Sequence, residues 1–369
     1  MIGTRAYCLL LAALSMSVSS ARLASTGEVE TAGGQSIVGT GDTSAAYYAP
    51  SGVISLNGSS FFLYVQGDDN IYAPPGDQVF MFTHPATWSG LTTTFDLSTR
   101  VQILPGSSQP STYYYGGPAV FTDAGTYYMT ASKSANAADF NEILIGCSTN
   151  GSNWTWRTLF TTAVGNNIAG ATQRYSSIGG SDYWWGFVEL APCQVSGEHC
   201  LTPYSGLGAF RVHLTSHAPS NCANPTWDRI DFLSNGRWQS VLPGQQLSFV
   251  PDYISFTDIE PKLHWITDHW ELWTTAVSEP NYHCHCDNGL PSNYAADFHY
   301  QTVATGATSL APNPPSLYSQ IRCLPASYAT SAFNPFRIEG TSLLYSATAD
   351  KTCGRYQGGA YIIVTGLTP

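Results

Sequence analysis

The sequence predicts an all-β chain folded as a single five-bladed β-propeller, and three observations carry that expectation. Short β-branched and aromatic runs separated by Gly, Asn, Asp and Ser turns fill the chain beyond its N-terminal segment. Sustained helical periodicity is hard to find there. One hairpin pattern also recurs: four to seven strand residues marked by a proline, a polar turn, then an aromatic-rich strand.

The first copy reads YAPSGVISLNGSSFFLYVQG, from Tyr48 to Gly67, and the second GGPAVFTDAGTYYMTAS, from Gly116 to Ser132. DIEPKLHWITDHWELWTTAV, Asp258 to Val277, repeats the pattern, as does FNPFRIEGTSLLYSATA, Phe333 to Ala349. Their prolines, Pro50, Pro118, Pro261 and Pro335, are 68, 143 and 74 residues apart. The middle step is twice the others, and GATQRYSSIGGSDYWWGFVEL, Gly170 to Leu190, fills it as a copy without proline. Five units of about 70 residues exceed the shorter WD-type blade and suit radial repetition of four-stranded sheets.

The N-terminal end carries Arg5, an apolar run from Leu9 to Leu14 and small residues up to Ala21. That order is expected of a secretory signal peptide over residues 1–21. The run is too short for a membrane span, which needs about 20 residues. Residues 22–40 are expected to be a disordered or weakly docked tail, and 41–369 one propeller domain. The mature protein is accordingly expected to be secreted, soluble and monomeric.

Formal net charge is −11, and loss of the leader makes it one unit more negative. No basic cluster offsets this, which argues against nucleic acid and anionic membrane as partners. Charged residues are only 11% of the chain, against roughly 25% in an average domain. The polar surface must therefore come from Ser, Thr, Asn, Gln, Tyr and Gly. Eight cysteines remain after Cys8 leaves with the leader, an even number that in an exported chain points to disulfides, with Cys193 and Cys200 the local pair. Asn57-Gly-Ser, Asn150-Gly-Ser and Asn153-Trp-Thr match the N-glycan acceptor pattern of a eukaryotic host.

Five hairpins with aromatic second strands, four of them proline-marked, resemble the five-bladed propeller glycoside hydrolases, a group of arabinanases, β-xylosidases, arabinofuranosidases and invertase relatives. GCSTNGSNWTW, Gly146 to Trp156, is similar to the Ser-Thr-Asp-Gly-x-x-Trp turn of their third strands, with Asn150 in place of the Asp. The resemblance implies a funnel at the starts of the first strands, where the substrate binds. It also implies an Asp before the first-blade proline, an Asp after the second-blade proline and a Glu before the fourth-blade proline. Glu260-Pro261 matches the last; Ala49 and Ala119 stand at the other two.

A carboxyl among aromatic and apolar neighbours has its pKa raised, which suits a general acid, so Glu260 is the expected catalytic acid. Asp69, in the loop after the first hairpin, and Asp258 are the candidate second carboxylates. Tyr48, Tyr115, Arg174, His283 and Arg337 are the candidate substrate-binding residues, stacking on sugar faces or bonding hydroxyls. Asp123, Asp182 and Asp268 fall in turns between first and second strands, where Asp serves the turn itself. The HCHCDN stretch, with His283, His285 and Asp287, could ligate a transition metal, but Cys284 and Cys286 in an exported chain favour disulfides. No cofactor is expected, although the resemblance allows a structural calcium.

The function expected is a secreted glycoside hydrolase acting on a polysaccharide or oligosaccharide. The alternatives are a glycan-binding propeller without catalysis and a metal-dependent enzyme built on His283 and His285.

Overall fold

The computed structural model describes residues 35–38, 46–68, 77–85, 96–135, 142–161, 166–178, 181–192, 195–196, 199–200, 206–215, 222, 227–234, 237–240, 255–264, 269–277, 296–305, 309–312, 319–323, 330–337, 343–349 and 361–366. These form antiparallel sheets, and the only helical piece among them is a single turn at Leu97–Thr99. The N-terminal strand β1 (Gln35–Val38) belongs to the last blade. Blade one is β2 (Ala46–Ile54), β3 (Ser60–Asp68), β4 (Gln78–Pro85) and β5 (Val101–Leu104), paired in that order. Blade two repeats the order with β6 (Tyr114–Asp123), β7 (Thr126–Ser134), β8 (Glu142–Ser148) and β9 (Thr155–Thr161).

Blade three begins with β10 (Asn166–Ile178) and β11 (Ser181–Pro192). A small hairpin of β12 (Val195–Ser196) and β13 (His199–Cys200) follows. The sheet then continues through β14 (Gly206–Leu214), β15 (Trp227–Ser234) and β16 (Arg237–Gln239). Blade four is β17 (Ser255–His264), β18 (His269–Val277) and β19 (Ala296–Thr305), whose two halves pair with β20 (Ser309–Pro312) and β21 (Ser319–Cys323). Blade five is β22 (Thr330–Arg337), β23 (Leu343–Ala349) and β24 (Tyr361–Gly366), completed by β1.

The fold is thus a five-bladed β-propeller, and each hairpin recognised in the sequence is the first pair of strands of one blade. The first strands β2, β6, β10, β17 and β22 form a closed ring, each packed beside the next and β22 beside β2. The chain closes its own circle at the rim. β1 lies within the stretch expected to be tail, yet it supplies the outer strand of the last blade, with Gln35 opposite Val364. Pairing β24 in this way leaves the short β1 as the outer edge of the blade.

Blade two shows why these sequences form propeller sheets. In β7 every residue but Lys133 is buried, because blades one and three cover both of its faces. Toward blade one, Tyr64, Met81, Tyr115, Met129, Leu144 and Trp156 make one core. Toward blade three, Phe121, Tyr128, Ile145, Trp184, Phe210 and Phe232 make another. Aromatic side chains run through both cores; Tyr128 and Trp184 have ring centroids 4.6 Å apart.

Polar anchors and one disulfide fix the blades against each other. Cys147 of β8 is bonded to Cys222, between β14 and β15, with 5.6 Å between Cα atoms. That pairing joins blades two and three. Cys193, one half of the local pair expected from sequence, lies outside the described residues. Asp123, read as a turn residue, also accepts the Trp184 indole N–H at 2.9 Å, from blade three to blade two.

The GCSTNGSNWTW turn is a lock between blades one and two. Asn150 Oδ1 accepts the N–H groups of Ser152 and Asn153 at 3.0 and 2.9 Å, doing what Asp does in such turns. Gly151 has φ +82°, and a Cβ there would strike the Phe62 ring. Only glycine fits both constraints. Its carbonyl accepts hydrogen bonds from the Tyr64 hydroxyl at 2.7 Å and the Trp154 indole at 2.8 Å.

Candidate functional site

All five first strands carry one extra residue near their start, where the ladder to the second strand slips. Such bulges bend a strand and re-aim its residues, and they collect beside active sites. The register breaks between Tyr48 and Ser51, Gly116 and Ala119, Ala169 and Thr172, Thr257 and Ile259, and Thr330 and Phe333. The unpaired residues are therefore Ala49-Pro50, Gly117-Pro118, Gly170-Ala171, Asp258 and Ser331-Ala332. Asp258 alone among them can ionise.

Because every bulge sits near the start of its strand, the five gather at one end of the ring, opposite the hairpin turns. Where side chains are described, this end is held by hydrogen bonds between blades. Gln66 Oε1 accepts the Gly117 N–H at 2.8 Å, and Ser51 Oγ accepts the Val120 N–H at 3.0 Å. Ser132 donates to the Gly116 carbonyl at 2.9 Å within the blade.

Glu260 follows the blade-four bulge by two residues, with Trp273 of β18 as its register partner and His299 of β19 next in the row. Directly opposed residues share a sheet face. Glu260 therefore shares its face with a tryptophan and a histidine. Pro50 and Pro118 lie inside their bulges, whereas Pro261 and Pro335 lie within the ladder, opposite Leu272 and Tyr345. The prolines therefore do not mark equivalent positions. By register, the blade-four counterpart of Pro50 and Pro118 is Asp258, and Glu260 corresponds to Gly52 and Val120.

The other candidate residues separate. Tyr48 is at the bulge end, opposite Gln66 and directly before Ala49. Tyr115 is not available to a sugar: it is fully buried in the core between blades one and two, and its hydroxyl donates to the Pro110 carbonyl at 2.6 Å. Arg337 is the last residue of β22, opposite Leu343 at the hairpin end, so it starts no strand and stands at the wrong end of the ring. Arg174 is well inside β10, in a row running Arg174, Trp185, Arg211 and Asp231 across blade three. In that row Arg211 is buried between the Tyr183 and Trp238 rings, 4.6 and 4.5 Å from their centroids, with Asp231 at 2.9 Å. Arg211 is thus packed within the blade, and Arg174 lies three residues past the blade-three bulge.

Asp69, His283, His285 and Asp287 lie outside the described residues. Among the described residues no cluster of three His, Cys, Asp or Glu side chains forms a metal site. Glu142, a carboxylate of the same end, is engaged already: Lys133 is 3.0 Å away and Thr158 donates to it. Lys133 in turn lies 4.9 Å from the Tyr113 ring centroid.

Glu189 lies in the second strand of blade three, β11. It pairs with Ala169, the last pair before the blade-three bulge, in the position Gln66 holds in blade one. Its strand β11 packs beside β17, as β3 packs beside β6. Only the repeat register reveals this; no local motif could.

No protein-family profile matches the sequence, and no curated protein is significantly similar to it. Solved structures share the fold. The α-L-arabinofuranosidase of Podospora anserina, solved with cellotriose, has a TM-score of 0.52 at 11% identity, covering 91% of this chain and 96% of that one. The catalytic domain of a Coprinopsis cinerea α-L-arabinofuranosidase gives 0.51 at 9% identity, covering 90% and 95%. The Bacillus subtilis arabinanase gives 0.50 at 11% identity, covering 89% and 95%. The likeness to propeller glycoside hydrolases read in the hairpins therefore extends over nearly the whole chain as fold.

Proposed function

We propose that this chain is a secreted glycoside hydrolase acting on a polysaccharide or oligosaccharide, with Glu260 as general acid and Asp258 as second carboxylate. The observation that carries the reading is the blade-four register: the one ionisable bulge residue in the ring, followed two residues later by Glu260. Two residues along a strand span about 6–7 Å of backbone, a spacing that allows side-chain carboxyls the separation of pairs that hydrolyse glycosides. Trp273 is the register partner of Glu260, and an apolar neighbour is what a carboxyl acid needs to stay protonated. Tyr48 lies at the same end and offers a stacking face for sugar.

Arabinan, arabinoxylan and galactan are the first substrates to screen, with wild type, Glu260→Gln and Asp258→Asn compared for released reducing sugar. Activity lost in both variants, with the fold retained, supports the reading. A second reading, a glycan-binding propeller, draws on Ala49 and Ala119, which stand where the family resemblance expects carboxylates. Saturable binding without turnover in the same screen, unaffected by Glu260→Gln, decides for the binder.

A further inference from the structure

We propose that Asn57 carries an N-linked oligosaccharide, on the end of the propeller opposite the bulges. The inference is independent of the hydrolase reading and rests on the export expected of residues 1–21.

Asn57-Gly58-Ser59 is the tight turn between β2 and β3, and all three residues are exposed. Gly58 has φ +68° with open space around it. Asn57 Oδ1 accepts three hydrogen bonds: from the Ser59 hydroxyl at 2.6 Å, the Ser59 N–H at 3.0 Å and the Ser55 hydroxyl at 2.7 Å. Ser59 Oγ is the hydroxyl that defines the acceptor motif, and it already lies on the carboxamide. With the oxygen fixed inward by three donors, the planar amide turns Nδ2 away from the turn. None of the three bonds uses Nδ2, so a substituent there leaves the turn intact.

The site also has room and a reason to be covered. Leu56, one residue before, is 45% exposed, one of two large apolar side chains so exposed among the described residues. A hydrated glycan on the adjacent residue shields that side chain. The hairpin turns stand away from the bulges, so a glycan here leaves the candidate site open. Asn150 is less suited, because Gly151 within its motif is packed against Phe62 and Tyr64. Asn153 is followed by Trp154, which stacks on Trp156 with centroids 5.6 Å apart.

In the transfer, Asn57 Nδ2 bonds to the anomeric carbon of an oligosaccharide carried on a lipid diphosphate. The carbon–oxygen bond to the diphosphate breaks, the diphosphate leaves with the electron pair, and one amide proton passes to a base of the transferase. The full chain is expressed in a eukaryotic secretory cell line and collected from the medium. Intact mass and glycopeptides are then read before and after an amidase that removes N-glycans. The Asn57 peptide should carry a glycan in wild type and in Ser59→Thr, and lose it in Ser59→Ala and Asn57→Gln. Activity on any identified substrate should be the same in wild type and Ser59→Ala. An unmodified Asn57 peptide in the secreted protein overturns the proposal. A chain retained in the cytosol overturns it together with the expectation of export.

Discussion

The side-chain carbonyl of Gln66 accepts the backbone N–H of Gly117 at 2.8 Å, so blade one holds the bulge of blade two. Gly117 has φ +56°, a left-handed conformation that suits glycine, and the end of the Gln66 side chain lies over Gly116 beside it. A Cβ at Gly116 would collide with the Gln66 carboxamide. The bulge is therefore a fitted joint between two blades.

Gln66→Ala should destabilise the protein by about 0.5–1.5 kcal/mol, the net worth of one hydrogen bond. Gly116→Ala should cost a similar amount, because its Cβ pushes the flexible end of Gln66 aside and displaces the same bond. Urea midpoints of the two variants, expected to lie close together and below wild type, check this. A wild-type midpoint for Gly116→Ala counts against a fitted joint.

Reduction of Cys147–Cys222 should lower stability by about 2–4 kcal/mol, since the bond closes a long loop between blades two and three. Cys147 is buried in that interface, and Trp227, packed against the same core, lies 3.8 Å from the Arg157 guanidinium. Denaturant melts with and without reductant measure the loss. Peptide mapping under non-reducing conditions should recover the Cys147–Cys222 pair, and finding either cysteine with another partner would refute it.

How much of this was legible in the sequence differs by element. The five hairpins were, because aromatic second strands and polar turns leave a local signal. The bulges were not: no residue is common to Ala-Pro, Gly-Pro, Gly-Ala, Asp and Ser-Ala, and a strand buried on both faces, such as β7, has no alternation in which a one-residue slip could be read. Without the bulges, the prolines looked equivalent, and Asp258 looked secondary to Glu260. Tyr115 was misassigned because a tyrosine at a strand start reads alike whether it faces a channel or a neighbouring blade. Cys147–Cys222 was hidden because its partners meet only when blades stack.

Alkaline pH should destabilise the fold through its buried tyrosines. Burial pushes the phenol pKa of Tyr64 and Tyr115 well up and that of Tyr127 up. Burial, with the Asp123 charge, pushes Tyr128 up to about 12. A folded pKa above the unfolded value of about 10 means the stabilisation is whole below pH 10 and declines as pH rises toward 12. Tyrosinate absorbance followed against pH should show a late-ionising class that merges with the rest once the protein is denatured. All tyrosines ionising together in the native protein would contradict the buried set.

Glu260→Gln is the decisive substitution at the proposed site. Gln is nearly isosteric and keeps an acceptor oxygen, so the ladder of β17 with β18 should persist and the melting point should hold. Removing the general acid should lower turnover of natural glycosides by roughly 10²–10⁴-fold. Aryl glycosides with good leaving groups need little protonation and should lose less. Asp258→Asn should behave differently. Losing the second carboxylate slows good and poor leaving groups alike, because that group acts on the sugar side of the bond as nucleophile or base. An equal, small loss for Glu260→Gln on every substrate would leave Glu260 a binding residue. A loss of stability with unchanged kinetics would make it a strand residue only, and Asp258 would then stand alone at the mouth of the ring.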